Sequence, residues 1–455
     1  MSSLETLIEN RVKPNAKVLL VHPAFKYVGT DCFPLGLGYI SAYMKQFTND
    51  ITVFDEHEYQ LGKNHLEKMK PDIVGISSTS PAFYRVKKLL QSIRRMPETI
   101  RPLVIMGGTH ASFCPEDVLS YGVDIAFMGE ADLSLPFFMK KEFNDLSEVP
   151  GIAFESDELP NYTPKPTMIP PEEMDNIPFP AREFFHPDFY PVMSITTSRG
   201  CPYDCNYCSA TRYWDRRVRF HSVDYVEREL LQVASLGYKY ICFEDATFSV
   251  NIKRAIQICE RLIDNSQLQH LTWSCETRPD RIREDMLQSF EASRCILINL
   301  GVESASEPVL KAVNRTVPLD KLYSGIQMIQ ETNIPLQMLM VFGLPGENEQ
   351  SVRETIKFLE QTSPDRIVLS LATAYPGTDL YTTDKRAEMP LEWVRRFQGH
   401  GEFSPLYLAD DLTPETYKTL AEQMLEVVNR INKQNQARLR EKHKLMINKA
   451  STAFC

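Results

Sequence analysis

MSITTSRGCPYDCNYCSA (residues 193–210) decides how the rest of this 455-residue chain is read. MSITTS has the pattern of a short strand. In the loop that follows, Cys201, Cys205 and Cys208 stand at the spacing C-x3-C-x2-C. Three thiolates on one tight loop can hold three irons of a cubane, whose usual full set is four cysteines. No fourth cysteine is near in sequence, so one iron is left open for a substrate. Zinc is a poorer fit, because a closed structural site needs a fourth ligand and the nearest histidine, His221, is distant in sequence.

Downstream, strands are expected at YKYICFED (238–245), LTWSCETR (271–278), CILINLGVES (295–304), PLQMLMVFG (335–343) and RIVLSLATA (366–374). Helical stretches alternate with them, such as VDYVERELLQVASLG (223–237) and EQSVRETIKFLEQT (349–362). Ser222 suits an N-cap and Gly237 a C-terminal stop. Six such units imply a partial TIM-like (β/α)6 barrel over 191–380, with its active site at the carboxyl ends of the strands. The cysteine loop directly follows the first of them. Residues 381–455 read as a C-terminal helical region ending in a basic run, Arg438 to Lys449, with Glu441 its one acidic residue. The run reads as a solvated helix end, with docking of an anionic substrate or partner as the alternative.

Upstream, KVLLVHPA (17–24), ITVFDEH (51–57), DIVGISSTS (72–80), PLVIMGG (102–108) and VDIAFMGE (123–130) are near-continuous apolar strands with amphipathic segments between them. This pattern is α/β: a flavodoxin-like doubly wound parallel sheet over 15–145, taking ligands at its strand ends. Residues 1–14 read as a leader. Nine of the 30 prolines fall in 146–190, which predicts a stiff, extended connector between the two domains.

Composition narrows the function classes. A net charge of −10 argues against broad nucleic-acid binding, which needs a positive field. No uninterrupted apolar run is long enough to span a bilayer. MSSLETLIENR lacks the marks of a secretory signal, so a cytoplasmic location is expected. Of the ten cysteines, Cys242, Cys259, Cys275 and Cys295 show no ligand spacing and read as buried inert thiols.

At SRGCPYDCNYCSA the sequence resembles the radical S-adenosylmethionine (SAM) superfamily. The resemblance implies a [4Fe-4S] cluster on Cys201, Cys205 and Cys208, whose open iron is chelated by SAM. Tyr207 takes the position next to the adenine. By the same resemblance, Glu244 and Asp245 in CFEDATFS (242–249) face the methionine amine. Arg278 in CETRPDR would bind the carboxylate, and Glu303 in GVESAS (301–306) would hold the ribose hydroxyls. FGLPGENEQS (342–351) and AYPGTDLY (374–381) resemble the family's last two strand-end loops.

The whole layout resembles the cobalamin-binding subclass, through PLGLGYISAYMK (34–45), GISSTS (75–80), GGTHASFCPED (107–117) and MGEAD (128–132). The cobalamin-site residues so implied are Pro34, Leu35, Ser77, Thr79, Gly107, Gly108, His110, Gly129 and Glu130. The D-x-H-x-x-G signature of classical cobalamin domains is absent from HPAFKYVG (22–29). Asp55 and His57 have D-x-H spacing, but they follow the second strand and Gln60 stands where glycine belongs. His57 therefore reads as a coincidental match and His22 as a structural polar residue, and no protein histidine is expected beneath cobalt.

The activity implied is cobalamin-dependent methyl transfer to an unactivated carbon through a 5′-deoxyadenosyl radical and methylcobalamin. The alternatives are a cyclase, ring-contraction or rearrangement enzyme on the same cofactors, or a radical SAM enzyme with a non-binding N-terminal domain. Expected partners are a small, natural-product-like substrate and a reductant such as flavodoxin or ferredoxin, with no nucleic acid. Arg212, Arg216, Arg217 and Arg219 could meet an anionic substrate, but a solvated loop or salt bridges between barrel and linker is the favoured reading.

Overall fold

The computed structural model describes residues 3–23, 33–56, 61–155, 160–162, 168–382, 386–387, 391–394, 396–397 and 406–452. The chain divides into two units, Met1–Tyr190 and Pro191–Cys455.

The first unit begins with α1 (Ser3–Arg11). Then come β1 (Val18–His22), α2 (Leu35–Met44), β2 (Ile51–Asp55), α3 (Lys63–Met69), β3 (Ile73–Ser77), α4 (Phe83–Arg94), β4 (Leu103–Gly107), α5 (Thr109–Phe113), α6 (Pro115–Ser120), β5 (Ile125–Phe127) and α7 (Ala131–Lys140). The strands pair in parallel in the order β2-β1-β3-β4-β5, the doubly wound arrangement expected. Val18, Leu19, Leu20 and Val21 are all fully buried, as a central strand covered on both faces requires. Burying each contributes roughly 1.5–3 kcal/mol. Strand order reverses between β1 and β3, which opens the ligand crevice at their carboxyl ends.

Two segments depart from the sequence reading. The leader is a packed helix: Ile8 and Val12 are buried, and Arg11 and Lys13 reach Asp72 at 3.5 and 2.8 Å. The proline-rich stretch is more than a connector. Its β6 (Ile152–Glu155) and β7 (Pro160–Tyr162) extend the sheet beyond β5 as antiparallel strands. Ile152, Ala153 and Phe154 are apolar enough to be buried. Pro160 stands at the first residue of an edge strand, where its missing N–H costs nothing. Ile169, Met174 and Ile177 then pack with Tyr39 in a small satellite core.

The second unit opens with β8 (Val192–Ile195) and β9 (Ser198–Arg199), then α8 (Ser209–Tyr213) and β10 (Arg219–Phe220). Next are α9 (Val223–Ser235), β11 (Tyr240–Phe243), α10 (Ile252–Asp264), β12 (Thr272–Thr277), α11 (Glu284–Ala292), β13 (Cys295–Glu303), α12 (Glu307–Ala312), α13 (Leu319–Gln330), β14 (Leu336–Phe342), α14 (Glu349–Thr362) and β15 (Arg366–Leu371). Last are β16 (Arg386–Ala387), α15 (Leu391–Val394), β17 (Leu406–Tyr407) and α16 (Pro414–Thr452). Ser222 does cap α9, its side chain accepting from the N–H of Tyr225. The sheet runs β8-β11-β12-β13-β14-β15, parallel throughout. Among the described strands none joins β15 back to β8, so the barrel is partial.

Alternation sorts the two faces of each strand. On β14, Leu336, Met338, Met340 and Phe342 are buried, while Gln337, Leu339 and Val341 face the lumen and keep some exposure. The open edge, β15, is covered by α16. The Asn432 side chain accepts from the N–H of Ile367 at 2.7 Å and donates to its carbonyl at 2.9 Å. Part of the basic run is an anchor rather than a solvated end. Arg438 and Lys442 bond the buried Asp365 at 2.6 and 3.1 Å.

Candidate active site

The cysteine loop leaves the sheet through Gly200, whose φ is +111°. A Cβ there would stand 1.8 Å from the carbonyl oxygen of Arg217, so only glycine lets β9 and β10 close beneath the loop. Cys205 is buried, and Cys201 and Cys208 are partly exposed. Asn206 ties the loop to the end of α12, donating from its backbone to Val313 O and from Nδ2 to Ala312 O at 3.4 and 2.9 Å. Backbone N–H groups of Ala210 and Thr211 face the Cys208 sulfur, and that of Tyr203 faces Cys201. Burial pushes the Cys208 thiol up to about 11 and raises that of Cys201. Coordination by iron would remove those protons, and the N–H donors would then stabilise the thiolates. Among the described residues no three Cys, His, Asp or Glu side chains are gathered on one point, as a mononuclear metal centre needs. A cubane differs in giving each cysteine its own iron.

The strand ends place a second group of charges beside the loop. Glu303 ends β13 just after a break in register, with φ at +68°. A non-glycine residue holds this conformation at a cost of about 1–2 kcal/mol. Its carboxylate pairs with Arg315 at 3.7 Å and accepts from Tyr207. Arg315 also donates to the Tyr207 hydroxyl at 3.3 Å and to the carbonyl of Gly301. Burial raises Glu303 above the usual carboxylate range and Arg315 opposes it. Arg278 stacks on Tyr203, 3.6 Å from the ring centre. Its Nε is bonded to Asp280 at 2.9 Å, and its terminal nitrogens bond no described residue.

Of the two acids after β11, only Glu244 faces the lumen, accepting from Ser194 at 3.1 Å. Asp245 is turned inward. It accepts from the backbone and hydroxyl of Thr197 at 3.0 and 2.8 Å and from the Ser198 hydroxyl. Arg254 completes that network at Thr197. Asp245 thus holds the turn that leads into the cysteine loop and has no oxygen pointed at a ligand's amine. Two residues escaped the sequence reading. Arg315 lies twelve positions after Glu303 and returns to it only through the tertiary turn after α12. Glu276 was legible, since alternation along TWSCET puts Cys275 outward and Glu276 inward. Glu276 is ringed by protein yet keeps lumen-side surface. Burial, then Glu303 and Glu244, push its carboxyl up to about 7.

In the first unit, Ser77, Thr79, Gly107, Gly108 and Gly129 come together at the carboxyl ends of β3, β4 and β5. A Cβ on Gly108 (φ +95°) would meet Ser78 O at 2.5 Å. Ser112 joins two of the loops, donating to Gly108 O at 2.8 Å and accepting from Gly129 N–H at 2.9 Å. The hydroxyls of Ser77 and Thr79 bond no described residue, and no described atom crowds the outer face of Gly129. Pro34 and Leu35 open α2, and a Cβ added on Gly36 would stand 3.8 Å from the Ser77 hydroxyl. His110 and Glu130 are already engaged. His110 meets Ser80 and Asp117 at 3.0 and 3.2 Å, and Glu130 accepts from Ile169 N–H at 3.1 Å. Both knit the edge together. His22 ends β1, and His57 lies outside the described residues.

The arginines after the cluster are ion-paired: Arg212 with Asp379, Arg216 with Asp204 and Arg217 with Asp215, at 2.8, 3.1 and 3.5 Å. Arg219 is buried over Trp214. Cys259, Cys275 and Cys295 are fully buried, and burial pushes Cys259 up to about 12. No helix among the described residues is long and apolar enough to cross a membrane.

Residues 195–359 match the family model of the radical SAM superfamily, and residues 21–136 that of the B12 binding domain. The chain is 28% identical over 385 residues to an uncharacterized methyltransferase, PH0819, of Pyrococcus horikoshii, covering 80% of this chain and 82% of that one. It is 25% identical over 393 residues to an anaerobic magnesium-protoporphyrin IX monomethyl ester cyclase of Cereibacter sphaeroides, covering 80% and 63%. Its fold is shared with the radical SAM methyltransferase TsrM of Kitasatospora setae, at a TM-score of 0.74 and 17% identity over 92% of this chain and 89% of that one. With a B12-type sheet ahead of a radical SAM barrel, the chain belongs to the cobalamin-binding radical SAM enzyme family.

Proposed function

We propose that this protein is a cobalamin-dependent radical SAM methyltransferase acting on an unactivated carbon of a small molecule. The observation that carries the reading is the bonding of the cysteine loop to the far strand ends, through Tyr207, Arg315 and Glu303. A ligand on the open iron would lie against charges of both signs. When bound, the cluster supplies the electron that cleaves SAM to a 5′-deoxyadenosyl radical, and cobalamin carries the methyl group.

The chain's own residues divide the remaining work. Cys201, Cys205 and Cys208 would hold the cluster. Glu244 suits an ammonium, and the free end of Arg278 suits a carboxylate. Glu303 and Tyr207 suit ribose and adenine, Arg315 holds both in place, and Glu276 adds a lumen-facing acid. In the first unit, Ser77 and Thr79 would donate to cobalamin's nucleotide tail, while Gly107, Gly108 and Gly129 let its backbone approach. The methyltransferase PH0819 supports methyl transfer. The magnesium-protoporphyrin cyclase supports a cyclase as the second reading, and product mass separates the two.

The test uses oxygen-free protein with hydroxocobalamin, dithionite and SAM. Cobalamin retained through gel filtration and release of 5′-deoxyadenosine are expected. Release without retained cobalamin would make the first unit structural and sink methyl transfer from cobalamin.

A further inference from the structure

One row of lumen-facing side chains has no part in the assignments above beyond its first member. Register places Glu276 on β12 beside Asn299 on β13, and Asn299 beside Gln337 on β14. Asn299 and Gln337 are both half-buried. They bond each other, Gln337 Nε2 donating to Asn299 Oδ1 at 2.7 Å. Among the described residues neither amide makes another hydrogen bond through its side chain.

Each carboxamide carries one acceptor oxygen and one two-hydrogen donor. A single bond between the two uses one oxygen and one N–H. The Asn299 amino group and the Gln337 oxygen stay wholly unused, a donor and an acceptor on neighbouring strands about 4.8 Å apart, beside one further N–H on Gln337 and one further lone pair on Asn299. This result does not depend on amide orientation. If both amides are turned over, the wholly unused donor and acceptor exchange places and the pair still offers both kinds of group. Further along β14 the same face carries Leu339 and Val341, and β15 offers Val368. These three line the lumen on the carboxyl-end side of the pair, while Arg366 on β15 stands beside Gln337 in register, as Glu276 stands beside Asn299.

We infer that Asn299 and Gln337 form a paired amide reader, which selects substrates bearing a carboxamide or lactam on an apolar body. The substrate carbonyl accepts from the free amino group while its N–H donates to the free oxygen. Two hydrogen bonds of opposite sense reject a ketone, which fills only one of them and leaves the lumen acceptor unpaired. Glu276, one strand away, marks the side of the pair on which the SAM-facing acids lie. The inference deepens the proposed function by naming its substrate class, and it rests on that reading for what becomes of the bound molecule.

The test measures binding of benzamide and of acetophenone, its acceptor-only analogue, by saturation-transfer NMR on the full-length, cluster-loaded protein. Benzamide should bind at least tenfold tighter than acetophenone. In Asn299→Leu and in Gln337→Leu the ratio should fall below about threefold, with SAM affinity and cluster iron unchanged. Equal binding of the two probes by the unaltered protein, or no benzamide binding, would overturn the reader. Loss of SAM affinity in Asn299→Leu with the probe ratio intact would also overturn it, making the pair part of the SAM pocket. Should Asn299→Leu fail to fold, Asn299→Asp removes the donor at constant shape and should cut the ratio alike. Failure of 5′-deoxyadenosine release touches the proposed function alone, because probe binding needs no turnover.

Discussion

The ligand-facing edges of the two units are built from different materials. The edge of the doubly wound sheet is mostly backbone and hydroxyl: Gly107, Gly108, Gly129, Ser77 and Thr79. Its two titratable candidates, His110 and Glu130, are turned to internal bonds. The edge of the barrel is mostly charge and sulfur: three thiols, Glu244, Glu276, Glu303, Arg278 and Arg315. A large ligand can be held by many weak contacts along a backbone groove. A small, doubly charged ligand such as an amino acid head group is held by a few strong, partly desolvated ones. The barrel edge should therefore fail at single side chains, and the sheet edge should fail only where the backbone itself is blocked.

The largest effect should come from Cys205→Ala. Anaerobic reconstitution should leave the iron content and broad visible absorbance of a cubane near zero; a full complement of iron would undo the assignment of the loop. Next is Arg315→Met, which strands the Glu303 carboxylate. The cost should be about 3–5 kcal/mol in urea unfolding of the barrel, and a loss below about 1 kcal/mol would end the description of this edge as charge-built.

Glu347 tests the same claim through pH. It is buried, bonded to Gly343 N–H and the Ser351 hydroxyl, and burial raises it from the usual 4.5 to about 7. A folded-state carboxyl that keeps its proton longer than the unfolded chain loses stability as pH rises through that window. Glu347→Gln should therefore gain on the unaltered protein between pH 4.5 and 7, reaching about 3 kcal/mol by pH 8; parallel pH profiles would refute the shift.

On the sheet edge, Gly108→Ala forces a Cβ against Ser78 O. It should cost about 2 kcal/mol and abolish cobalamin retention, and unchanged affinity would remove this groove from the site. Ser77→Ala should be the mildest, about 1 kcal/mol or a few-fold in cobalamin affinity. If it matched Arg315→Met in severity, the contrast between the two edges would collapse.

What was legible follows the same division. Strand–helix alternation and the cysteine spacing are local, so both sheets and the loop could be read directly. Glu303 and Arg278 stand at strand ends that the pattern located. Asp245 could not be told from Glu244, because adjacent residues leave a strand on opposite faces and only the tertiary contact to Thr197 assigns the inner one. Arg315 was hidden because its partners lie across a turn. The 146–190 segment was misread because proline content advertises stiffness and says nothing about Ile152 and Phe154 finding a sheet edge. The basic run at 438–449 was misread at Arg438 and Lys442, because their partner, Asp365, is remote in sequence.

The clasp of Asn432 on Ile367 bears on how the protein is made. It joins residues 65 positions apart, so β15 leaves the ribosome long before its cover is translated. Until then it is a bare parallel edge of the kind that recruits strands from other chains. Slow translation of α16, or a stop codon before Asn432, should yield aggregates of barrels whose catalytic end is already in place. The last helix is therefore expected to matter to solubility during synthesis as well as to the finished barrel.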